Sequence, residues 1–375
     1  MKTHMGTDGN FREYEAETQG FKAAKRKIRT ASAAVLLALA FALSACGGAG
    51  NSGSGNGDGG GAGGGGETGA EDTEYVFKIA SLNTSATSLD SASVGLAKGF
   101  FEEEGVILEN AGDISVPQYT SALLQGSLDA ILLMTSDGVA AIDNGADIVS
   151  IAGGMDVTEE KPHMIYVVLE DSPLQYGDDI SGKKVGIAGL GGCLAGFPLE
   201  YARQIGVADP KGELELIVSP ENTLVDSLRA GTYDFVGLHL LPEQLETIYP
   251  GTRILFTDYD LFGDKGGDID WYVKRSLAEE NPDAVRAFVA GVAKTNNWIN
   301  ENTEEALEFY KGLPAEVNEE FYHTAHFAED GLLYEDHIQT WIDLFSTGTN
   351  IQELVNKDLT PADVFTNEYN PYYKQ

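Results

Sequence analysis

A glycine-rich turn carries the clearest binding chemistry in this sequence. Gly189, Gly191 and Gly192 follow a predicted strand over 184–188, and a predicted helix begins directly after them. Glycine lets a backbone approach a ligand closely, and the first N–H groups of a helix lack partners within it and carry partial positive charge. Gly191, Gly192 and Cys193 are therefore predicted to contact a carboxylate, sulfonate or phosphate. A tight turn without a ligand is the alternative, and the imperfect G-x-G-x-x-G spacing does not indicate a dinucleotide site.

Polar and aromatic side chains follow the other predicted strands. In open α/β sheets, ligands bind beyond the carboxyl ends of the strands. Seven residues at or near the ends of other predicted strands are therefore predicted to contact the ligand: Asn83, Thr84, Thr135, Ser136, His239, Asp268 and Trp271. Trp271 would stack on a flat ligand, whereas Asp268 and Asp270 would repel an anion if both face it. The alternatives are a satisfied polar residue at a strand end for His239 and packing between two lobes for Trp271.

Metal and catalytic chemistry is not predicted. The two cysteines, Cys46 and Cys193, exclude a disulfide framework and a cysteine-based zinc site. The histidines are scattered; His323 and His326 have helical spacing but no acidic partner at metal-ligand spacing. A nucleophile motif such as G-x-S-x-G is absent from the sequence. We therefore predict a binding protein without enzyme activity, cofactor or metal.

The elements that position these residues alternate between strands and helices. Short β-rich runs separated by helical patterns extend from 75 to 273, and such alternation is typical of mostly parallel sheets flanked by helices. The pattern restarts near His163, so two similar α/β units are predicted. Beyond Leu277 the sequence reads as helical, with apolar residues at 3.6-residue spacing from Ala284 to Ala293.

Two crossovers join the predicted units. The second unit lies between strands that begin near His163 and Asp268. It occupies 167–271, and the first unit combines 74–166 with 272–375. Two crossovers form a hinge, and a cleft lies between the lobes. The predicted architecture is a two-lobed α/β clamshell with a hinge of two crossover strands and a helical C-terminal tail.

A repeated pattern marks the same turn in both units. Gly126 and Gly231 each lie where a helix must stop, a position that favours the left-handed conformation. Asp129 and Asp234 follow three residues later, each at the start of a buried strand. We predict that these aspartates shape the turn and do not contact a ligand.

The charge of the chain excludes some partners. Its 375 residues include 24 Lys and Arg against 59 Asp and Glu, a formal charge of −35. Such a chain repels phosphate backbones, so nucleic-acid binding is excluded. Attachment to an anionic membrane through a basic surface is excluded for the same reason.

The N-terminal segment has the order of an export signal. A basic cluster over 22–29 precedes an apolar run over 31–42, and the letters LSAC follow and end at Cys46. This order is typical of a secretory signal peptide, here 1–45, and the run is too short for a comfortable transmembrane span. The LSAC segment resembles a bacterial lipobox, which implies cleavage before Cys46 and a lipid on its thiol. An ordinary signal peptide and an uncleaved anchor are the alternatives.

A tether follows the lipidation site. Nearly all residues from 47 to 70 are Gly, Ser, Asn or Ala, a composition that cannot bury an apolar face. The segment 46–73 is therefore predicted to be a disordered tether that holds a folded body near a membrane.

Four stretches of the folded body resemble one family. They are GLAKGFFEEEG at 95–105, ALLQGSLDA at 122–130, ISGKKVG at 180–186 and LRAGTYD at 228–234. In this order they resemble substrate-binding proteins of ABC importers of the nitrate, sulfonate and taurine type, a group that also includes proteins binding thiamine-pyrimidine precursors. The resemblance covers about 75–300.

The resemblance implies a fold, partners and a location. The fold would be the type II periplasmic-binding-protein clamshell. The chain would be a monomeric receptor, anchored through the lipid on Cys46 at the extracytoplasmic face of a bacterial membrane, that delivers a small molecule to an ABC permease. A ligand-sensing lipoprotein is the alternative. A pyrimidine-synthase-like enzyme is less favoured, because fungal relatives carry a cysteine-rich iron-binding segment and 268–272 contains no cysteine.

The sequence leaves two chemical classes of ligand open. Sulfonates, taurine, nitrate and bicarbonate fit the helix-terminus argument. A thiamine pyrimidine or another aromatic base fits the cluster around Trp271.

Overall fold

The computed structural model describes residues 74–80, 91–312, 321–348 and 350–374. The predicted signal peptide, the lipidation site Cys46 and the tether lie outside these ranges, as do Asn83 and Thr84. Within the described ranges, we find no helix with both the length and the apolar character needed to cross a membrane.

Strands and helices alternate through most of the chain. The strands are β1 (Tyr75–Ile79), β2 (Val106–Asn110), β3 (Ala130–Met134), β4 (Ile148–Asp156), β5 (Ile165–Leu169), β6 (Lys184–Ile187), β7 (Glu215–Val218), β8 (Phe235–Leu238), β9 (Thr252–Thr257), β10 (Ile269–Lys274) and β11 (His326–Phe327). The helices are α1 (Ser91–Lys98), α2 (Phe100–Glu103), α3 (Tyr119–Leu124), α4 (Thr135–Asp143), α5 (Gly192–Gln204), α6 (Pro210–Glu213), α7 (Glu221–Arg229), α8 (Leu245–Ile248), α9 (Asp258–Phe262), α10 (Arg275–Glu280), α11 (Pro282–Glu301), α12 (Thr303–Lys311), α13 (Glu335–Ser346) and α14 (Pro361–Val364).

The strands form two larger sheets and a parallel pair. One sheet has the order β11-β4-β10-β3, and β1 pairs with β2 beside it. The other sheet has the order β7-β6-β8-β5-β9. In that second sheet β6 is parallel to β7 and β8, as the βαβ pattern predicts, whereas β5 runs antiparallel to β8 and β9. In the first sheet β10 likewise runs antiparallel to β3 and β4.

The two antiparallel strands have a common cause. The chain leaves β4 at its carboxyl end and reaches the other sheet over 157–164, so β5 begins at the edge that faces the first sheet and runs away from it. The chain returns from β9 to the first sheet over 258–268, and β10 likewise begins at the edge that faces the other sheet. The neighbours of β5 and β10 end at the gap between the sheets. β5 and β10 begin at the gap, because the chain crosses it to reach them, and they therefore run antiparallel to those neighbours. The two predicted crossovers place the second unit between these strands, but the alternating pattern predicted mostly parallel sheets and did not predict that β5 and β10 run antiparallel to their neighbours.

The repeated turn has the structural role that its sequence predicts. Gly126 and Gly231 have φ angles of 78° and 75°, in the left-handed region. The Asp129 carboxylate accepts the Lys78 backbone N–H at 2.9 Å, and the Asp234 carboxylate accepts the Lys184 backbone N–H at 2.8 Å. Each aspartate thus joins the start of its strand to the neighbouring strand.

The C-terminal segment is mostly helical and packs on both sheets. The apolar face of α11 is buried as predicted, and Phe288 stacks on Phe77 of β1 at a centroid distance of 4.6 Å. By contrast, Trp341 of α13 packs at 5.8 Å from Phe197 of α5, in the core of the second sheet. The short strand β11 interrupts the predicted helical tail. The domain boundaries stay a prediction.

Candidate functional site

A cavity of about 570 Å³ lies between the facing edges of the two sheets. Most of its wall is apolar and includes Ile79, Ala92, Leu132, Met134, Met155, Leu240, Leu241, Ile269 and Trp271. Its titratable side chains include Asp137, Lys161, His163, Cys193, Glu221, His239 and His323. A mostly apolar chamber of this size with a few polar groups is typical of a small-molecule site.

Three adjacent strands of the second sheet bring one cluster to the cavity. Cys193 lies in the first turn of α5 after β6, His239 follows β8, and His163 lies just before β5. Because β5 runs antiparallel to β8, its first residues lie at the same edge as the last residues of β6 and β8. One ligand atom from each side chain lies within 4.8 Å of the others.

His239 is held by an ion pair with Glu221. One Glu221 carboxylate oxygen accepts the His239 backbone N–H at 2.7 Å, and the other lies 3.1 Å from the ring Nδ1. Burial alone would lower the pKa of His239, but hydrogen bonds to Cys193 and Glu221 raise it to about 10. The imidazolium form therefore prevails at neutral pH and places a positive charge at the cavity wall.

The other two members of the cluster are buried and neutral. Cys193 Sγ lies 3.9 Å from His239 Nε2, and burial raises the pKa of this thiol. Burial, and then the charge of His239, lower the pKa of His163 well below its ordinary value. Its Nε2 atom is buried without a hydrogen-bond partner among the described residues. Among the described residues, the Cys193 sulfur thus faces His239 Nε2, and the His163 Nε2 atom faces no partner.

The glycine-rich turn borders the cavity as predicted from its position. Gly191 precedes α5 in an extended conformation, and no side chain caps the helix. Gly192 has a φ of 22° and lies so close to α4 that a Cβ atom on it would be 2.4 Å from Ser136 Oγ. The first turns of α4 and α5 therefore meet at this point, one from each sheet.

Lys161 supplies a second basic side chain to the cavity wall. Lys161, in the crossover before β5, donates to Thr324 Oγ1 at 3.1 Å. Burial lowers the pKa of Lys161, and the charge of Glu243 partly offsets this effect. Lys161 and His239 both line the cavity, and both can face an anion.

A separate polar cluster lies beneath β10. Thr135 donates to the Asp270 carboxylate at 2.8 Å, and the Asp268 carboxylate lies 2.5 Å from His337 Nδ1. Burial, and then the charge of Asp268, raise the pKa of Asp270 to about 8, and burial raises that of Asp268 to about 6. Both aspartates border a small second cavity, and neither is part of the wall of the large one.

The predicted ligand contacts thus divide into three sets. Gly191, Gly192, Cys193, His239 and Trp271 all line the large cavity. Thr135, Ser136 and Asp268 are buried outside its wall, where Thr135 and Asp268 hydrogen-bond within the polar cluster. Asn83 and Thr84 lie outside the described residues. Each role as a ligand contact stays a prediction.

The sequence did not single out three other wall residues. Lys161 and His163 lie in a crossover whose antiparallel continuation was not predicted, so nothing placed them at the ligand edge. Glu221 is the first residue of the helix after β7. Its negative charge there was the one feature of the sequence that could have marked it as a site residue. Helix N-termini favour acidic residues in any case, so this signal does not distinguish a site from a cap.

The sequence comparisons give one match. The family model described as NMT1/THI5 like matches residues 91–306. No curated protein matches the chain at a significant level.

Solved structures share the fold at low sequence identity. The alkanesulfonate-binding protein SsuA from Xanthomonas axonopodis pv. citri, bound to MOPS, has a TM-score of 0.56 and 15% identity, over 78% of this chain and 99% of its own. The periplasmic nitrate-binding protein NrtA from Synechocystis PCC 6803 has a TM-score of 0.58 and 16% identity, over 79% and 87%. SsuA from Escherichia coli has a TM-score of 0.56 and 19% identity, over 75% and 90%. These neighbours confirm the predicted periplasmic-binding-protein-like fold.

Proposed function

This chain belongs to the NMT1/THI5-like family, and on that premise we propose that it is the solute-binding receptor of an ABC importer. It captures a small organic anion with an apolar body, of the alkane- or arylsulfonate class, in the cavity between its two sheets. It is a monomer, anchored at the extracytoplasmic face of the membrane through a lipid on Cys46, and it passes the solute to a permease. Its action is binding and release, not catalysis.

The apolar cavity is the observation that carries this proposal. A volume of about 570 Å³ falls in the usual range for organic ligands, roughly 300–1,000 Å³. Nitrate and bicarbonate would leave most of such a chamber empty or filled with water against apolar side chains. An alkyl or aryl chain would remove this apolar surface from water at about 25 cal/mol per Å².

The charges at the wall support an anionic head group. The Lys161 ammonium and the His239 imidazolium both line the cavity, and the uncapped start of α5 adds backbone N–H groups. Two acidic residues also line the cavity: Glu221 is paired with His239, and burial raises the pKa of Asp137, which favours its uncharged form. Asp268 and Asp270, which would repel an anion from the wall, lie outside it. Solved neighbours include proteins named for binding alkanesulfonate and nitrate.

A thermal-shift series tests the solute class. We expect alkanesulfonates of increasing chain length and benzenesulfonate to raise the melting temperature of the purified full chain, while nitrate and the alcohols of equal chain length do not. Each methylene that enters the cavity should strengthen binding by about 0.8 kcal/mol. A ligand at 100 times its dissociation constant adds about 2.7 kcal/mol to the free energy of unfolding, which a melting scan resolves.

Two lysine variants sharpen this test. Lys161→Met should weaken sulfonate binding about 10-fold or more, because it removes a half-buried cation from the wall. Lys184→Met is the matched control, since Lys184 lies at the start of β6 with an exposed side chain. Stabilisation by nitrate with no dependence on chain length would contradict the proposed solute class.

An aromatic heterocycle is the second candidate solute. Trp271 and Tyr119 both line the cavity, and Trp271 packs edge-on against Phe288 at 5.3 Å, so its ring is held in place. A planar ring could stack there. Stabilisation by a thiamine pyrimidine and not by sulfonates would favour this candidate.

The lipid anchor is tested separately. We expect the full chain expressed in a bacterium to sediment with the membrane fraction, and the Cys46→Ala variant to appear in the soluble extracytoplasmic fraction. A single acyl chain gives only marginal binding, whereas two chains give stable attachment. The variant Cys193→Ala is the control and should stay with the membrane. Membrane association of Cys46→Ala would indicate an uncleaved anchor instead.

A further inference from the structure

We propose that His163, Cys193 and His239 form a binding site for a thiophilic cation such as Zn²⁺, with a fourth coordination position open to the cavity. The site lies at the carboxyl edge of β6 and β8. The sequence predicted Cys193 and His239 as contacts of a solute and not as metal ligands, and it did not predict His163, which reaches this edge only through the antiparallel direction of β5.

The spacing of the cluster is close to that of a metal site. Two ligands bound to tetrahedral zinc at about 2.3 Å for sulfur and 2.0–2.1 Å for nitrogen lie roughly 3.5 Å apart. Cys193 Sγ and His239 Nε2 are 3.9 Å apart, and the His163 ligand atom lies within 4.8 Å of both. Small side-chain rotations are enough to close these distances around one ion.

Glu221 orients His239 for this role. Its carboxylate lies 3.1 Å from Nδ1, while Nε2 faces the Cys193 sulfur. A carboxylate that holds one ring nitrogen and turns the other to a metal is the usual second partner of a ligating histidine. The same carboxylate is fixed by the His239 backbone N–H at 2.7 Å, so the ring orientation is set before any ion arrives.

His163 supplies the independent observation. It is 9% exposed, its ring meets that of His239 edge-on at a centroid distance of 5.0 Å, and its Nε2 has no hydrogen-bond partner within the described ranges. A buried imidazole nitrogen without a partner costs free energy. Coordination of an ion would remove that cost.

The donor set selects the class of ion. One thiolate and two imidazoles suit Zn²⁺ or Cu⁺ and do not suit Mg²⁺ or Ca²⁺, which prefer oxygen ligands. Binding releases one proton from the Cys193 thiol and one from the His239 imidazolium, and the ion keeps that end of the cavity positive. Three protein ligands leave one position for an exogenous donor. If the proposed function holds, this donor is the anionic head group of the solute.

Titration of the purified full chain with Co²⁺ and Zn²⁺, after treatment with a chelator and a thiol-free reductant, tests the site. We expect one Co²⁺ per chain, with a thiolate-to-cobalt charge-transfer band in the near ultraviolet that Zn²⁺ abolishes. Cys193→Ala should remove the band, and His163→Gln should weaken binding by at least about 100-fold. Glu221→Gln should keep the band and weaken binding about 10- to 100-fold, as expected for a positioning residue.

His326→Gln is the matched control, because His326 is a half-buried histidine outside both the cluster and the wall of the cavity. It should bind cobalt as the unaltered chain does. Far-ultraviolet circular dichroism shows which variants are folded, and His163→Gln decides the question if Cys193→Ala is not. An absent charge-transfer band, or a band unchanged in a folded Cys193→Ala variant, would overturn the site.

The solute series distinguishes failure of this site from failure of the proposed function. It is repeated with a chelator present and with Zn²⁺ added. Sulfonate binding in the chelated chain without any cobalt band keeps the receptor and overturns the metal site. If the chain binds cobalt but no solute stabilises it, the metal site is kept and the proposed receptor function is overturned. Tighter sulfonate binding with Zn²⁺ than with chelator is the result that we expect.

Discussion

Replacement of Asp270 by Asn is expected to raise the free energy of unfolding at pH 8 by about 2–3 kcal/mol and to leave it nearly unchanged at pH 5. Asp270 is 3% exposed, and its one described hydrogen bond comes from the Thr135 hydroxyl at 2.8 Å. Burial and the nearby Asp268 charge raise its pKa to about 8, against an ordinary value of 3.8. The folded chain therefore holds a proton here that the unfolded chain releases.

The sign follows from proton linkage. Between pH 4 and 8 the folded state binds more protons at Asp270 than the unfolded state, so stability falls as pH rises, by about 1.4 kcal/mol per pH unit for one group. Asn cannot ionise, so the Asp270→Asn variant does not lose this part of its free energy of unfolding as pH rises. Its amide needs a partner in the same space, which removes about 1–3 kcal/mol of the gain. Asp258, whose pKa burial raises to about 7, continues to contribute a slope in the same direction.

Urea unfolding at pH 5, 6, 7 and 8 measures this effect. The unaltered chain should lose stability across the range, and Asp270→Asn should show a clearly smaller slope. Asp113→Asn, at an exposed position in the loop after β2, serves as the control and should stay within about 0.5 kcal/mol of the unaltered chain at every pH. Equal slopes for the unaltered chain and Asp270→Asn would show that Asp270 is ionised in the folded state.

Gly192→Ala is expected to lower the free energy of unfolding by about 1–3 kcal/mol, whereas Gly191→Ala is expected to have almost no effect. A Cβ atom at Gly192 would lie 2.4 Å from Ser136 Oγ and 3.2 Å from an Asp137 carboxylate oxygen. At Gly191 no atom lies within 4 Å of the same position, and its φ of −78° suits any residue. Overpacking of this kind typically costs about 1–3 kcal/mol.

A double-mutant cycle separates this contact from a general effect of alanine. Ser136 Oγ is buried without a described hydrogen-bond partner, so Ser136→Ala alone should cost little. In combination with Gly192→Ala it should restore most of the lost stability, because the clashing atom is gone. Melting temperatures of the four chains give the coupling energy. An additive result would mean that α4 and α5 do not meet at this point.

Local patterns were enough to predict much of the fold. The apolar spacing from Ala284 to Ala293 predicted the buried face of α11, and the repeated glycine and aspartate turn predicted the left-handed positions and their structural role. The family resemblance of four short stretches is confirmed by the family match over 91–306. These features depend on residues close in sequence, which is why the sequence reveals them.

The site depended on long-range geometry and was only partly predictable. Cys193 and His239 follow parallel strands, so the rule for strand ends placed both at the ligand edge. His163 precedes a strand, and the same rule would send it to the opposite edge unless that strand is known to be antiparallel. The sequence-based prediction of no metal site treated each histidine separately. It did not include the cluster of His163, Cys193 and His239, which the order and direction of the strands bring together.

The position of β10 also has a consequence for how the chain acquires its fold. The second sheet is contiguous in sequence, from β5 to β9, and each of its strands is present once Thr257 is made. The first sheet is not, because Ile269 of β10 pairs with Met134 of β3 and Met155 of β4. Its centre stays open until the segment after the second sheet has arrived, and pairing at such sequence separations is slow. A chain that emerges N-terminus first therefore has every strand of its second sheet before the first sheet receives β10.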